Sequence, residues 1–186
     1  MNNWLVGLVT LVTLFALDAR ASNSNVTSAA AVQSLEDELS ALSPQVRKVE
    51  ADRAAACAYA TAANLKVQYQ VIGPPLFHNF LVNTGIRKRG LCYQWAEDLI
   101  ASLDQLRLRS LELHWGVARA NTMREHNCVV LTARGRPFAE GVVLDCWRNS
   151  GRLFHGAVAH DHYPWHEDVW DWRAHVFALT TLAKGS

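Results

Sequence analysis

"EHNCVVLTARGRPFAEGVVLDCW", residues 125–147, holds two short apolar runs, "NCVVLTA" at 127–133 and "EGVVLDCW" at 140–147, with "RGRP" between them. Runs of this length, rich in Val and Leu and interrupted by Gly and Pro, predict two antiparallel strands joined as a hairpin. With Gly135–Arg136 as a two-residue turn, His126 falls directly opposite Asp145. Facing residues on one side of a sheet have Cβ atoms roughly 5 Å apart, close enough for an imidazole to reach a carboxylate. Pro137 and Gly141 are the points at which a bulge would shift this register.

Working outward, "LELHWGVA" at 111–118 supplies another strand, and "GLCYQWAEDL" at 90–99 opens an amphipathic helix running from Cys92 to Leu106. Cys92, Trp95, Ala96, Leu99, Leu103 and Leu106 share one face of it, with Glu97, Asp98 and Asp104 elsewhere. A helix followed by short strands predicts an α+β domain with an antiparallel sheet, over residues 76–186. "FHNFLVNTG" at 77–85 predicts a short helix or turn before the basic loop "GIRKRG". That loop is expected to be solvated, with a site for an acidic group as the other option.

Residues 22–75 predict a helical extension that either packs on the following domain or serves as a spacer from a membrane. After a small, polar lead-in at 22–29, Val32, Leu35, Leu39 and Leu42 recur at helical spacing. Pro44 should stop that helix and, with Ser43 as N-cap, open an Ala-rich second one reaching about Ile72. Gly73 and Pro74–Pro75 then end it. Residues 1–21 read as an export signal: "WLVGLVTLVTLFAL" at 4–17 is an apolar run of the right length, and "ARA" precedes Ser22. The n-region lacks Lys and Arg, which leaves an uncleaved anchor as the only expected contact with a membrane.

Composition narrows the function further. The chain has 186 residues, 50% of them hydrophobic and 19% charged, which is ordinary globular composition. A formal net charge of +1 provides no electrostatic case for nucleic acid. Four widely spaced cysteines, Cys57, Cys92, Cys128 and Cys146, match neither a zinc-finger spacing nor a disulfide-dense scaffold. If Cys92 is a working thiol, at most one disulfide can form among the rest. Cys128 and Cys146 should point to opposite sheet faces, and Cys57 reads as core.

Cys92 sits where the basic loop becomes a helix, so its thiolate would be favoured by the helix dipole and by free backbone N–H groups. A cysteine nucleophile also needs a base and a group that fixes the base. His126 would take or share the proton, and Asp145 would hold the imidazole in one tautomer and stabilise its charged form. Gly90 would leave room for a substrate backbone to approach the sulfur. Each residue taken singly has a structural role open to it; the combination, in this order and on these elements, favours catalysis. The backbone N–H of Cys92 is the natural first oxyanion donor, with Gln94, Asn79 and Asn83 as candidates for a side-chain second. Tyr93 and Gln94 are expected to line the cleft, and Trp95 to be core.

A Cys at a helix start in "GLCYQWAEDL", then a His in "EHNCVVL" and an Asp in "GVVLDCW" on successive strands, resembles the transglutaminase-like branch of the papain-like cysteine enzymes. The resemblance covers roughly residues 76–165; the N-terminal helices have no counterpart in it, and little chain remains after Asp145 for substrate pockets. It implies a papain/transglutaminase-like core, Cys92, His126 and Asp145 as catalytic triad, and peptidase, amidase or acyl-transfer chemistry through a thioester. The expected partner is a peptide or protein amide, with cell-wall peptides an option from export. A monomer with no cofactor is expected.

A rival site lies in "HDHYPWHEDVW" at 160–170, where His160 and His162 on a strand, completed by His166, would hold Zn²⁺ or Cu²⁺. A polar, aromatic rim is the favoured reading of that stretch, and no metal is expected. The alternative function is accordingly a non-enzymatic binding or scaffold domain using the His-rich rim for metal or partner contacts.

Overall fold

The computed structural model describes residues 28–176 and 178; the expected export signal at 1–21 lies outside them. The protein is α+β, with helices first and a five-stranded antiparallel sheet after them. The helices are α1 (residues 28–41), α2 (Lys48–Gln68), α3 (Pro75–Asn83) and α4 (Cys92–Asp104), and α5 begins at residue 172. The strands are β1 (Leu111–Ala118), β2 (His126–Ala133), β3 (Val142–Asp145), β4 (Phe154–Ala157) and β5 (Trp165–Glu167). They lie in the order β4-β3-β2-β1-β5. The first strand falls on the residues its sequence predicts, and the next two lie within the predicted runs but for His126. β4 and β5 were not anticipated, being too short to show a period.

Both N-terminal helices belong to the main core. Leu35 and Leu39 of α1 and Ala51, Ala54, Ala55, Ala58 and Ala62 of α2 are buried with Trp95, Leu99 and Leu103 of α4 and Val129, Leu131 and Leu144 of the sheet. The alanines recur at helical spacing, so α2 presents a stripe of small side chains on which the larger ones of α4 can lie close. Glu50, also buried, accepts from the backbone N–H groups of Arg109 (2.8 Å) and Ser110 (2.7 Å) through Oε2, which ties α2 to the entrance of β1.

α2 is shorter than its sequence suggests at both ends. Ser43 and Pro44 form a turn in which Val46 N–H reaches Ser43 O (3.0 Å), and the helix starts only after Arg47. At the other end Gln70 adopts φ +51°. Gln70 N–H donates to Val67 O (3.0 Å) and Val71 N–H to Lys66 O (3.2 Å). A left-handed residue after the helix therefore caps its last carbonyls before Gly73 is reached.

The β2–β3 hairpin differs from expectation in a way that matters for the site. Val130 stands opposite Val143, and Leu131 opposite Val142, two residues away from the register of a Gly135–Arg136 turn. The connection is longer because Phe138–Glu140 form a 3₁₀ turn after Pro137. A slip of one residue would have turned every side chain to the other face, whereas a slip of two preserves the faces. His126 and Asp145 thus become diagonal rather than facing neighbours, still on one side of the sheet. That side carries a second, smaller cluster of Cys128, Val130, Val143 and Val158, with Phe138, Phe154 and Trp165 against it. Cys146 packs in the helix-facing core, so it and Cys128 do point to opposite faces. All four cysteines are free thiols.

Candidate active site

Cys92 is the first residue of α4, following Leu91 in extended conformation. The loop before it is held by Gln94, whose side-chain oxygen accepts from the N–H groups of Gly90 (2.7 Å) and Leu91 (3.1 Å). Gly90 adopts φ +133°, and a Cβ built there would meet His78 Nε2 at 2.3 Å. The expectation that Gly90 makes room for substrate is thereby corrected: the imidazole of His78 fills that space. His78 is itself satisfied, with Nε2 on Arg89 O (3.1 Å) and Nδ1 accepting from Ile72 N–H (3.4 Å). The half-buried Cys92 thiol emerges at the end of the sheet where β2 begins. It donates to Glu125 O (3.8 Å) and accepts from Asn127 Nδ2 (3.8 Å).

His126 and Asp145 meet as the diagonal register allows. Nε2 lies 2.6 Å from Asp145 Oδ2, and the two residues are 2% and 1% exposed. Since a carboxylate only accepts, Nε2 carries a proton, and Nδ1 is the nitrogen left to exchange one. Among the described residues Nδ1, which is buried, has no hydrogen-bond partner. Trp147, Tyr163 and Trp165 surround the imidazole, with ring centroids 4.7, 4.8 and 5.3 Å away.

Every lone pair of Asp145 is used. Oδ1 accepts from the backbone N–H groups of Trp147 (2.9 Å) and Arg148 (3.1 Å), and Oδ2 from Arg148 Nε (2.7 Å) besides His126. Arg148 in turn forks onto Asp161, at 3.1 and 2.6 Å. Burial alone would raise the Asp145 pKa, but His126 and Arg148 outweigh it and hold the carboxyl below its ordinary range. Burial likewise works against a charged His126, yet Asp145 and then Cys92 raise it from 6.5 to about 9. A folded pKa above the unfolded one contributes stability fully present below the unfolded value and lost as pH rises through the folded one. The melting temperature should therefore fall as pH is raised from 6.5 to about 9. His126→Gln should flatten that slope; thermal unfolding monitored across this range checks it, and equal slopes in both proteins would contradict a charged buried pair.

The other expected residues are dispersed around this centre. Asn79 accepts from Trp147 Nε1 (2.9 Å) and so steadies the ring packed on His126. Asn83 is exposed at the end of α3, and Tyr93 is 41% exposed on the first turn of α4. The rim histidines do not sit as anticipated: His160 ends a 3₁₀ turn and His162 lies in a bend, so neither is on a strand. Asp161 between them is committed to Arg148 and to Trp165 Nε1 (2.8 Å). Among the described residues, no group of three or more His, Cys, Asp or Glu side chains is arranged to hold a metal ion.

Two participants were missed. Arg148 lies three residues beyond Asp145, where the turn "DCWR" brings its guanidinium back over the carboxylate; that spacing was the only signal. Asn127, adjacent to His126 in the chain, reaches Cys92 from β2, which the alternation of a strand gave no reason to expect. No family model, curated protein or solved structure matches this chain.

Proposed function

We propose that the protein is an exported thiol hydrolase or acyltransferase that acts on amide bonds of peptides or proteins through Cys92, His126 and Asp145, on a papain/transglutaminase-like core. One observation carries the reading: a buried imidazole has Nε2 fixed on a buried carboxylate and Nδ1 without a partner among the described residues, and the thiol of Cys92, at a helix start, contacts both chain neighbours of that histidine, Glu125 O and Asn127 Nδ2. Such an imidazole, charged at neutral pH, would hold the thiol proton beside a thiolate and give it to a leaving amine, which are the two proton transfers that thioester formation from an amide requires. Asp145 stabilises the charged intermediate ring. Export follows from the reading of residues 1–21, and cell-wall peptides are one substrate class that an exported enzyme of this kind would meet.

Thiol labelling with iodoacetamide at neutral pH tests the proposal. Burial raises the thiol pKa of Cys57, and raises those of Cys128 and Cys146 strongly. Cys92 should therefore react about 100-fold faster than the other three, as read by peptide mapping of the alkylated sites. Labelling of all four only on unfolding would sink the enzyme and favour a binding domain.

A further inference from the structure

We propose that the side-chain amide of Asn127 is the second donor of the oxyanion hole, acting with the backbone N–H of Cys92 on the carbonyl oxygen of the substrate. The assignment rests on the thiol chemistry proposed above and adds a residue that neither the sequence pattern nor the triad supplies. Trp115 Nε1 lies 2.8 Å from Asn127 Oδ1. An indole N–H can only donate, so the amide oxygen must face Trp115 and the NH₂ group must face the other way. It faces the thiol: Nδ2 is 3.8 Å from Cys92 Sγ and 3.3 Å from Glu125 Oε1, one for each of its hydrogens. Asn127 is 7% exposed and Trp115 4%, so the donor itself is buried and held in place. A preorganised donor of this kind stabilises developing charge better than one that must be ordered during the reaction.

The backbone donor is available as well. Gln94 Oε1 takes the N–H groups of Gly90 and Leu91, and Leu91 O takes those of Gln94 and Trp95, so the Cys92 amide remains for a ligand at the helix N-terminus. A carbonyl carbon bonded to Sγ carries its oxygen off to the side of the line that joins Sγ to the donor 3.8 Å from it, so that sulfur, oxygen and donor form a triangle. That places the oxygen near the separation of about 2.7–3.1 Å that an oxyanion needs. In the step, the Sγ lone pair forms the S–C bond and the C=O π pair moves onto oxygen, where Asn127 and the Cys92 amide receive it. When that pair returns, the bond to the leaving amine breaks, the amine takes the proton from His126 Nδ1, and a thioester remains.

The test compares two reactions of the same thiol in the full folded chain. Acylation by p-nitrophenyl acetate develops an oxyanion, whereas alkylation by iodoacetamide displaces iodide at a saturated carbon and does not. Their ratio cancels changes in the amount of thiolate. In Asn127→Ala the ratio should fall by about 10²- to 10³-fold. Asn127→Asp keeps an acceptor for Trp115 but lacks the donor, and its ratio should fall as far. An unchanged ratio in either folded variant, with both rates falling together, would make Asn127 a positioning residue for the thiol and overturn the assignment. Failure of both variants to fold, read from tryptophan fluorescence, would overturn it too by making the amide structural. If instead the wild-type thiol acylates no faster than glutathione, the proposed enzyme fails and takes the oxyanion hole with it.

Discussion

Serine in place of Cys92 is expected to reduce single-turnover acylation by an activated ester about 10⁴-fold or more, while leaving the fold intact. The hydroxyl is nearly isosteric, and among the described residues the hydrogen bonds of the thiol it replaces, to Glu125 O and from Asn127 Nδ2, are both long, at 3.8 Å. The unfolding free energy should therefore change by no more than about 1 kcal/mol. His126→Ala should be about as damaging, because in the proposed reaction thiolate formation and protonation of the leaving group both pass through Nδ1. Combining the two changes should cost little more than the worse one alone, since groups that act as a unit are not additive. Stopped-flow acylation of the two single variants and the double variant decides the matter. Strictly additive losses, or undiminished acylation of Cys92→Ala, would place the reacting group elsewhere.

Asp145→Asn should lose both activity and stability, and this double loss distinguishes it from the Cys92 change. The amide oxygen can still accept from the Trp147 and Arg148 backbone, but the NH₂ group then opposes His126 Nε2–H and Arg148 Nε–H, both donors. The charged ring loses the carboxylate that stabilises it, and the neutral ring is driven toward the tautomer with its proton on Nδ1, which can no longer take the thiol proton. A loss of about 10²- to 10⁴-fold in acylation is expected. Removing the carboxylate also leaves Arg148 buried with Asp161 alone, a change expected to cost about 3 kcal/mol. Urea unfolding gives the stability, and the acylation rate of the folded fraction gives the chemistry. Wild-type stability in this variant would show that the Asp145–Arg148–Asp161 chain contributes no net support to the site.

The proposed site was partly legible because each member leaves a local mark. A Gly-containing loop ahead of an amphipathic run places Cys92 at a helix start, and that depends on residues within one or two turns of it. His126 and Asp145 end opposite strands of a hairpin, and their shared face depends on parity alone. That is why a register wrong by two residues still brought the correct pair together: Val130 opposite Val143 keeps even positions of β2 on the same side as odd positions of β3. The position of Gly90 was legible too, but its role was not, since the occupant of the space beside it comes from α3.

The sequence by itself determined that α1, α2 and α4 precede the strands, the strand β1, the core of β2 and β3, and the face of α4 that is buried, because helical and strand periods are written in neighbours a few residues apart. Only the tertiary structure decided the ends of α2, the edge strands β4 and β5, the long β2–β3 connection, and the company kept by Cys92, His126 and Asp145. Gln70 ends α2 in a conformation its residue type does not advertise, and three- and four-residue edge strands exist only because β1 and β3 offer unpaired backbone groups to them. Asn127 reaches the thiol because Trp115, on the adjacent strand, fixes which way its amide turns. Arg148 holds Asp145 because Asp161, from a loop thirteen residues on, holds Arg148. Such contacts depend on the separations and directions of side chains after the chain has folded, and no spacing along the chain encodes them.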